Sequence, residues 1–371
     1  MNELTPATLV PDPRGRDSIR RQVMYWFGGF AFIALMLWLL SDILLPFIMG
    51  MAIAYLLTPV TDRMERHGVN RLAAALLIIT LVVMLFVLLV LLVAPVLGGQ
   101  LASFIGDIPL YVIKLRALVT DPSRPWLQKL LGAGFNADKG ISDLVGQGVG
   151  YLTSFLNSLW SGGRALVSLF SLLVVTPVVA FYLIFDWHRM IAKVDSWIPI
   201  RQRETVRELA REVDAAIAGF VRGQTAVCLI LGSFYAVALT LSGLNFGLLI
   251  GLISGLITFI PYVGSMTGLV LSLAVAVAQF WPHYYSILTV LFIFLFGQFL
   301  EGNVLSPKLV GESTGLHPIW VIFALLAFGY LFGFVGLLVA VPLAATIGVL
   351  ARFALKRYLQ SSLYTGEDAG A

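Results

Sequence analysis

The sequence predicts an all-α polytopic membrane protein with about 8 transmembrane segments, two of its apolar regions forming Gly/Pro-broken helical hairpins in an inverted repeat. Three observations predict it. Apolar residues make up 59% of the 371 residues and charged residues only 12%, with a mean hydropathy of +0.93. A soluble domain carries about 25% charged residues, so this chain has too few to cover a water-facing surface. The charges that remain leave long blocks free of Asp, Glu, Lys and Arg: 22–41, 43–61, 72–106, 165–185, 223–300 and 313–351. Finally, two interrupted apolar segments of the C-terminal half resemble one another.

Each block is read against the cost of a charge at the bilayer centre, about 2.5–3.5 kcal/mol on insertion scales. An N-terminal tail, 1–21, precedes three helices within 22–97; the first two turn at Ser41-Asp42, and Pro95 with Gly98-Gly99 is expected to end the third. Residues 98–164 mix Gly, Pro, Asp and Lys with amphipathic stretches, and read as an external, periplasmic region or as a pair of interfacial helices. A fourth crossing occupies 165–185. The segment 186–222 is expected to be cytoplasmic. Within it Val206, Leu209, Ala210, Val213, Ile217 and Phe220 share one helical face, while Glu204, Arg207, Glu208, Arg211 and Glu212 take the other. A transport region, 223–351, and a cytoplasmic tail, 352–371, complete the chain.

Basic residues set the orientation. Arg14, Arg16, Arg20 and Arg21, then Arg63, Arg66 and Arg71, then the Arg/Lys-rich 189–222, then Arg352, Lys356 and Arg357 all fall on one side if both termini are cytoplasmic. The expected location is an inner (cytoplasmic) membrane, crossed several times.

Residues 243–264 (GLNFGLLIGLISGLITFIPYVG) and 315–336 (GLHPIWVIFALLAFGYLFGFVG) align at an offset of 72 positions, within a repeat spanning 243–281 and 315–350. Pro261 faces Gly333. Interrupted apolar segments at corresponding positions of two halves are the best sequence pointer to a transporter's binding site. Kinked full crossings would keep the same charge pattern, so charge alone leaves both topologies open.

Residues 298–318, QFLEGNVLSPKLVGESTGLHP, resemble the signature of the autoinducer-2 exporter family of bacterial permeases, through Asn303, Val304, Leu305, Pro307, Lys308, Gly315, Leu316 and Pro318. The IPYVG run at 260–264 and FYLIFDWHRM at 181–190 are similar to further family elements, and the resemblance covers nearly the whole chain. Ser265 departs from it, standing where many relatives carry Pro. The resemblance implies export of autoinducer-2 or a similar small polar metabolite by an elevator-like motion, and a homo-oligomer, a pentamer being one form. Some family members are linked to sodium/proton exchange.

A mainly uncharged, hydroxyl-rich solute needs hydrogen-bonding partners and helix-end partial charges rather than buried ions. Thr258, Tyr262, Ser265, Gln298 and Asn303 are the candidate solute-binding residues; the bland alternative for each is a side chain bonding back to its own helix. Thr267, Tyr330, Ser306 and Thr314 are further polar candidates. Pro261, Gly264, Pro307, Gly315, Gly333 and Gly336 are expected to shape the hairpins and hinges. Glu301, Asp186 and Lys308 are the candidate coupling residues, against the plainer reading of a solvated cytoplasmic face. No carboxylate falls inside an uncharged block, which weighs against cation exchange. The four histidines are far apart, the single Cys228 forms no cluster, and neither HExxH nor a phosphate loop occurs. An enzyme, a metal, a cofactor and a nucleic-acid partner are therefore not expected. The expected partners are membrane lipid, a small solute and copies of the same chain. A passive channel or a membrane scaffold is the remaining alternative to a transporter.

Overall fold

The computed structural model describes residues 28–29, 32, 35–36, 39–119, 150, 171–261, 263–310, 315–361 and 364. The predicted tail 1–21, most of the first crossing 22–41, nearly all of 120–170 and the end of the C-terminal tail lie outside the described residues. Every regular element among the described residues is helical: α1 (Ser41–Arg66), α2 (Arg71–Val119), α3 (Thr176–Ser196), α4 (Arg203–Leu241), α5 (Gly247–Ile257), α6 (Val263–Phe280), α7 (Tyr284–Leu300) and α8 (Pro318–Leu359). Wider π-helical turns lead into α3 at Ser171–Val175 and follow α7 at Glu301–Val310. Seven of the described helical stretches are long and apolar enough to cross a membrane, while Gly247–Ile257 is a shorter apolar helix.

Helices α1, α2 and α3 form an N-terminal bundle. Ala54, Ala75 and Ile184 are its buried contacts, and the Thr176 hydroxyl donates to the Pro46 carbonyl at 3.2 Å. Arg71 ties the three together at one end: it donates to the Ile184 carbonyl at 2.9 Å and pairs with Glu65 at 2.7 Å and Asp62 at 3.3 Å. This is the turn between α1 and α2, where the sequence concentrates basic residues.

Helix α2 departs from expectation. It does not stop at Pro95 or Gly98-Gly99 but runs for 49 residues, roughly 73 Å against a hydrocarbon core of about 30 Å. Tertiary contact explains the continuation. Leu97, Leu101, Phe104 and Tyr111 pack onto Leu244, Phe246 and Leu249 at the far end of α4 and α5, and Gln100 accepts a hydrogen bond from the Leu249 amide at 3.0 Å. The segment begins at a proline yet is held as helix by the turn it covers. Between the two ends Leu85, Leu88, Leu91 and Leu92 are exposed, as lipid contact requires.

Helix α4 also ignores an expected boundary. The amphipathic segment and the crossing from 223 are one helix of 39 residues. Its charged face, Glu204, Arg207, Glu208, Arg211 and Glu212, is exposed as predicted, and its buried positions begin at Ala216. Arg207 holds Asp195 of α3 in a forked pair at 2.7 and 2.8 Å.

Both interrupted segments are helical hairpins. In the first, α5 and α6 run antiparallel around Thr258–Pro261, with Gly264 against Thr258 and Gly268 against Ser254. In the second, α8 is broken at Gly333, whose φ of 59° and ψ of −138° no helix contains. Gly336 then meets the Phe328 carbonyl, and Arg352 reaches the Gly315 carbonyl at 3.3 Å, closing the base. Pro261 and Gly333, the two interruptions, are the positions the 72-residue repeat aligns. The first arms are short: α5 has 11 residues, roughly 16 Å, and the arm from Pro318 to the break about 15 residues, roughly 22 Å, where a crossing needs about 30 Å. The hairpins open in opposite directions. The first opens beside Tyr111, the second beside Arg352, and Ile260 at the first tip packs against Ala324, Leu325, Ala340 and Ala344 of the second.

Close backbone approach holds the first hairpin to α4. A Cβ on Gly251 would run into the Ala236 backbone nitrogen, and one on Gly255 into the Gly232 backbone. Gly251→Ala is expected to destabilise the detergent-solubilised protein by about 1–3 kcal/mol through overpacking. Gly99→Ala, which meets open space, is expected to leave the thermal midpoint unchanged or slightly raised; equal midpoints for the two variants would refute this packing.

Candidate functional site

The site is built where α4 faces the first hairpin and α7. Gln224, Cys228, Leu231 and Tyr235 recur at helical spacing and share one face of α4. Gln224, Leu231 and Tyr235 are buried, at 4%, 0% and 0% exposure. A helix that ends inside the protein leaves carbonyls without partners, and Gln224 supplies one: its Nε2 donates to the Thr258 carbonyl, at the end of α5, at 2.6 Å. The Thr258 hydroxyl donates to the Ser254 carbonyl at 2.7 Å, and the Ser254 hydroxyl to the Ile250 carbonyl at 2.6 Å. Ser265, one residue past the close contact of Gly264 with Thr258, is 3% exposed, and its Oγ finds no partner among the described residues. The Phe259 ring meets Phe220 edge-on at 5.9 Å.

A second polar group lies deeper along the same face. Tyr235 stacks on Phe294 at 4.5 Å and abuts Gly297, while Gly223, near the middle of α4, meets the Leu309 carbonyl. These antiparallel contacts place Glu301 opposite the stretch around Leu231, roughly 12 Å from the level of Gly223. Glu301 is 7% exposed and its Oε2 is enclosed without a partner among the described residues. The Tyr235 hydroxyl is enclosed and unpartnered in the same sense.

The sequence-predicted residues therefore divide. Thr258 and Ser265 come together at the first tip, with Pro261 and Gly264 shaping it. Tyr262 and Thr314 lie outside the described residues. Gln298 and Asn303 are exposed, and Asn303 donates back to the Phe299 carbonyl at 3.1 Å. Thr267 bonds back to Val263 at 2.8 Å, and Tyr330 is 92% exposed. Pro307 and Lys308 sit exposed on the π-helical stretch, Gly315 takes a φ of 55° at the base of the second hairpin, and Gly333 and Gly336 form its turn. Asp186 is at the surface, 3.8 Å from Arg189. Of the three coupling candidates only Glu301 is buried, and among the described residues it pairs with no cation.

Two expectations change. Glu301 closes an uncharged block in the sequence, so it reads as a membrane-edge residue; folding draws it inward, because the helix continues past it as Glu301–Val310 and packs that stretch on α4. The argument against cation exchange from missing internal carboxylates falls with it. Gln224 and Tyr235 were missed as site residues, though their shared helical face with Cys228 was the available signal. Among the described residues no three His, Cys, Asp or Glu side chains converge on one point.

The fold defines a multi-pass helical membrane protein of the permease type, with two opposed hairpins meeting beside one crossing helix. The chain belongs to the AI-2E family of transporters: the profile described as "AI-2E family transporter" matches residues 27–356. It is 32% identical over 317 residues to YrrI of Bacillus subtilis, named as a candidate transport protein, covering 84% of this chain and 87% of the relative. It is 28% identical over 312 residues to PerM of Escherichia coli K12, named as a candidate permease, covering 83% and 86%. The E. coli K12 protein named AI-2 transport protein TqsA is 25% identical over 319 residues, 83% of this chain and 85% of the relative.

Gln224→Leu strips the Thr258 carbonyl of its donor while keeping the volume. Leaving a buried carbonyl unsatisfied costs about 1–3 kcal/mol, so thermal unfolding in detergent should fall accordingly; an unchanged midpoint would show that water already serves that carbonyl.

Proposed function

We propose that this AI-2E family transporter is a secondary active exporter of a small, mainly uncharged polar solute, working by alternating access. The observation that carries the proposal is the pair of opposed hairpins whose first arms are too short to cross a bilayer. Broken backbone at membrane depth is tolerated only where protein or a water-filled cavity satisfies it, and such half-helices are where transporters hold solute. The first tip supplies suitable chemistry: the buried Ser265 hydroxyl and Thr258 beside the Gln224 amide, with no charged side chain among the described residues of the tip itself. Autoinducer-2, a small hydroxyl-rich molecule, is the substrate to test first, since one relative is named as its transporter.

The same proposal places the protein in a bacterial inner membrane with both termini cytoplasmic. Its support is the gathering of basic clusters at one end. Arg222 donates to the Tyr55 carbonyl at 3.0 Å, Arg66 lies by His188, and Arg352 and Lys356 line one cleft with Glu208 and Glu212. Residues 98–164 then begin on the opposite, external side. Assembly into a homo-oligomer, a pentamer in one form that the resemblance implies, belongs to this reading. A sodium/proton antiporter is the second reading, favoured by the burial of Glu301 alone.

Efflux of autoinducer-2 from cells lacking their own exporter, with and without this chain, tests the substrate. External signal should rise when the chain is present; an equal signal rejects autoinducer-2. In the same assay Ser265→Ala should slow efflux while leaving the thermal midpoint unchanged or slightly raised, because it removes a buried hydroxyl that bonds to no described residue. Undiminished efflux by Ser265→Ala would move the site away from the first tip.

A further inference from the structure

One buried titratable group has no part in binding a neutral solute. Glu301 sits at the start of the ten-residue π-helical stretch Glu301–Val310, against the middle of the uncharged part of α4. Its Oε2 is shut off from solvent and meets no donor among the described residues. The groups that face it are few. From α4 come the Tyr235 hydroxyl and the Cys228 thiol, both within electrostatic reach of the carboxyl; the nearest α4 cation, Arg222, is more than two turns toward the cytoplasmic end and bonded to the Tyr55 carbonyl. Helix α7 brings no ionisable side chain near it, its Tyr284 and Tyr285 lying at the far end. On its own stretch the only other charge is Lys308, which is exposed.

An ionised carboxylate enclosed without a donor or cation is far more costly than the neutral acid, and intramembrane carboxyls of this kind mark proton relays in transporters. A hydroxyl and a thiol make a poor cage for a metal ion, which takes several oxygen, nitrogen or sulfur ligands. π-Helical stretches are rare and concentrate at functional positions, and this one begins at Glu301 itself.

We propose that Glu301 is the proton-carrying group of this transporter: it holds a proton while enclosed where the Glu301–Val310 stretch packs on α4, as here, and releases it when that stretch separates from α4 and admits water. The step is a protonation only, a carboxylate and a proton forming a carboxylic acid. Its coupling to solute rests on the transport reading above; the proton site itself does not.

Two measurements on the full chain in lipid vesicles separate these. Infrared spectra of the reconstituted protein should show a protonated-carboxyl stretch at neutral pH that disappears on alkaline titration and is missing in Glu301→Gln. Identical spectra for the two proteins overturn the proposal, whatever the solute. Autoinducer-2 flux should be accelerated by an imposed pH gradient in the native protein, and the ratio of flux with and without the gradient should fall to unity in Glu301→Gln. A native ratio of unity, or an unaltered ratio in the variant, overturns the coupling. Absence of any autoinducer-2 flux condemns the substrate and leaves the infrared result to decide the proton site. Should Glu301→Gln fail to reach the membrane, Glu301→Asp serves: the shorter stem should move the pH midpoint of the carboxyl signal, and an unmoved midpoint overturns the assignment.

Discussion

Lipid offers no hydrogen bonds, so every backbone amide and carbonyl at membrane depth must find a partner in the protein or in enclosed water. Most of this chain meets that demand with continuous helix. The two hairpin turns do not, and the architecture around them follows from the deficit. At the first tip the Thr258 carbonyl is taken by Gln224, a side chain from a different helix, and the Thr258 and Ser254 hydroxyls add bonds to carbonyls one turn back. A single amide thus fixes the height of the hairpin on α4.

That bond can form only because α4 and α5 nearly touch. Gly232, Gly251 and Gly255 let the two backbones meet with no side chain between them, the packing that small residues give in membranes. The large side chains are displaced to the flanks, where Tyr235 stacks on Phe294 and Leu239 is fully buried. Polar atoms that this dense interface encloses have little room to be served by water. Ser265 Oγ, the Tyr235 hydroxyl and Glu301 Oε2 are enclosed near it without a partner among the described residues.

Much of this was legible in the sequence. Among the described residues the charge-free blocks fall in helices apolar enough to cross a membrane, and the alignment of Pro261 with Gly333 located both hairpin turns, because a backbone break leaves a Pro or Gly where helix would otherwise continue. The limits had physical causes. Pro95 looked like a terminus, but a proline costs a helix only one hydrogen bond and a local clash, and packing of Leu97, Phe104 and Tyr111 on the α4–α5 turn outweighs that. Arg222 looked like a boundary between cytoplasmic and membrane segments, yet charge reports the solvent around a helix and not its continuity. Asn303 and Gln298 drew attention by lying beside the family signature; the fold turns them outward. Glu301 was hidden for the opposite reason, since its burial comes from packing of the Glu301–Val310 stretch on α4, a nonlocal contact that no local window contains. The Gln224 bond to Thr258 is likewise nonlocal.

The unbroken length of α4 has a mechanical meaning. Near one end Asp214 accepts a hydrogen bond from Tyr55 of the N-terminal bundle at 3.0 Å; ten residues on, Gln224 grips the hairpin. Both grips are on one stiff rod, so the bundle and the hairpin cannot shift past each other while each holds. Displacement of one against the other has to break these bonds together with that of Arg222 to the Tyr55 carbonyl, and the phenolic contact is the one at the surface, where water competes for it. The long helix is thus the common strut of both halves, gripped at an exposed point by the bundle and at a buried one by the hairpin.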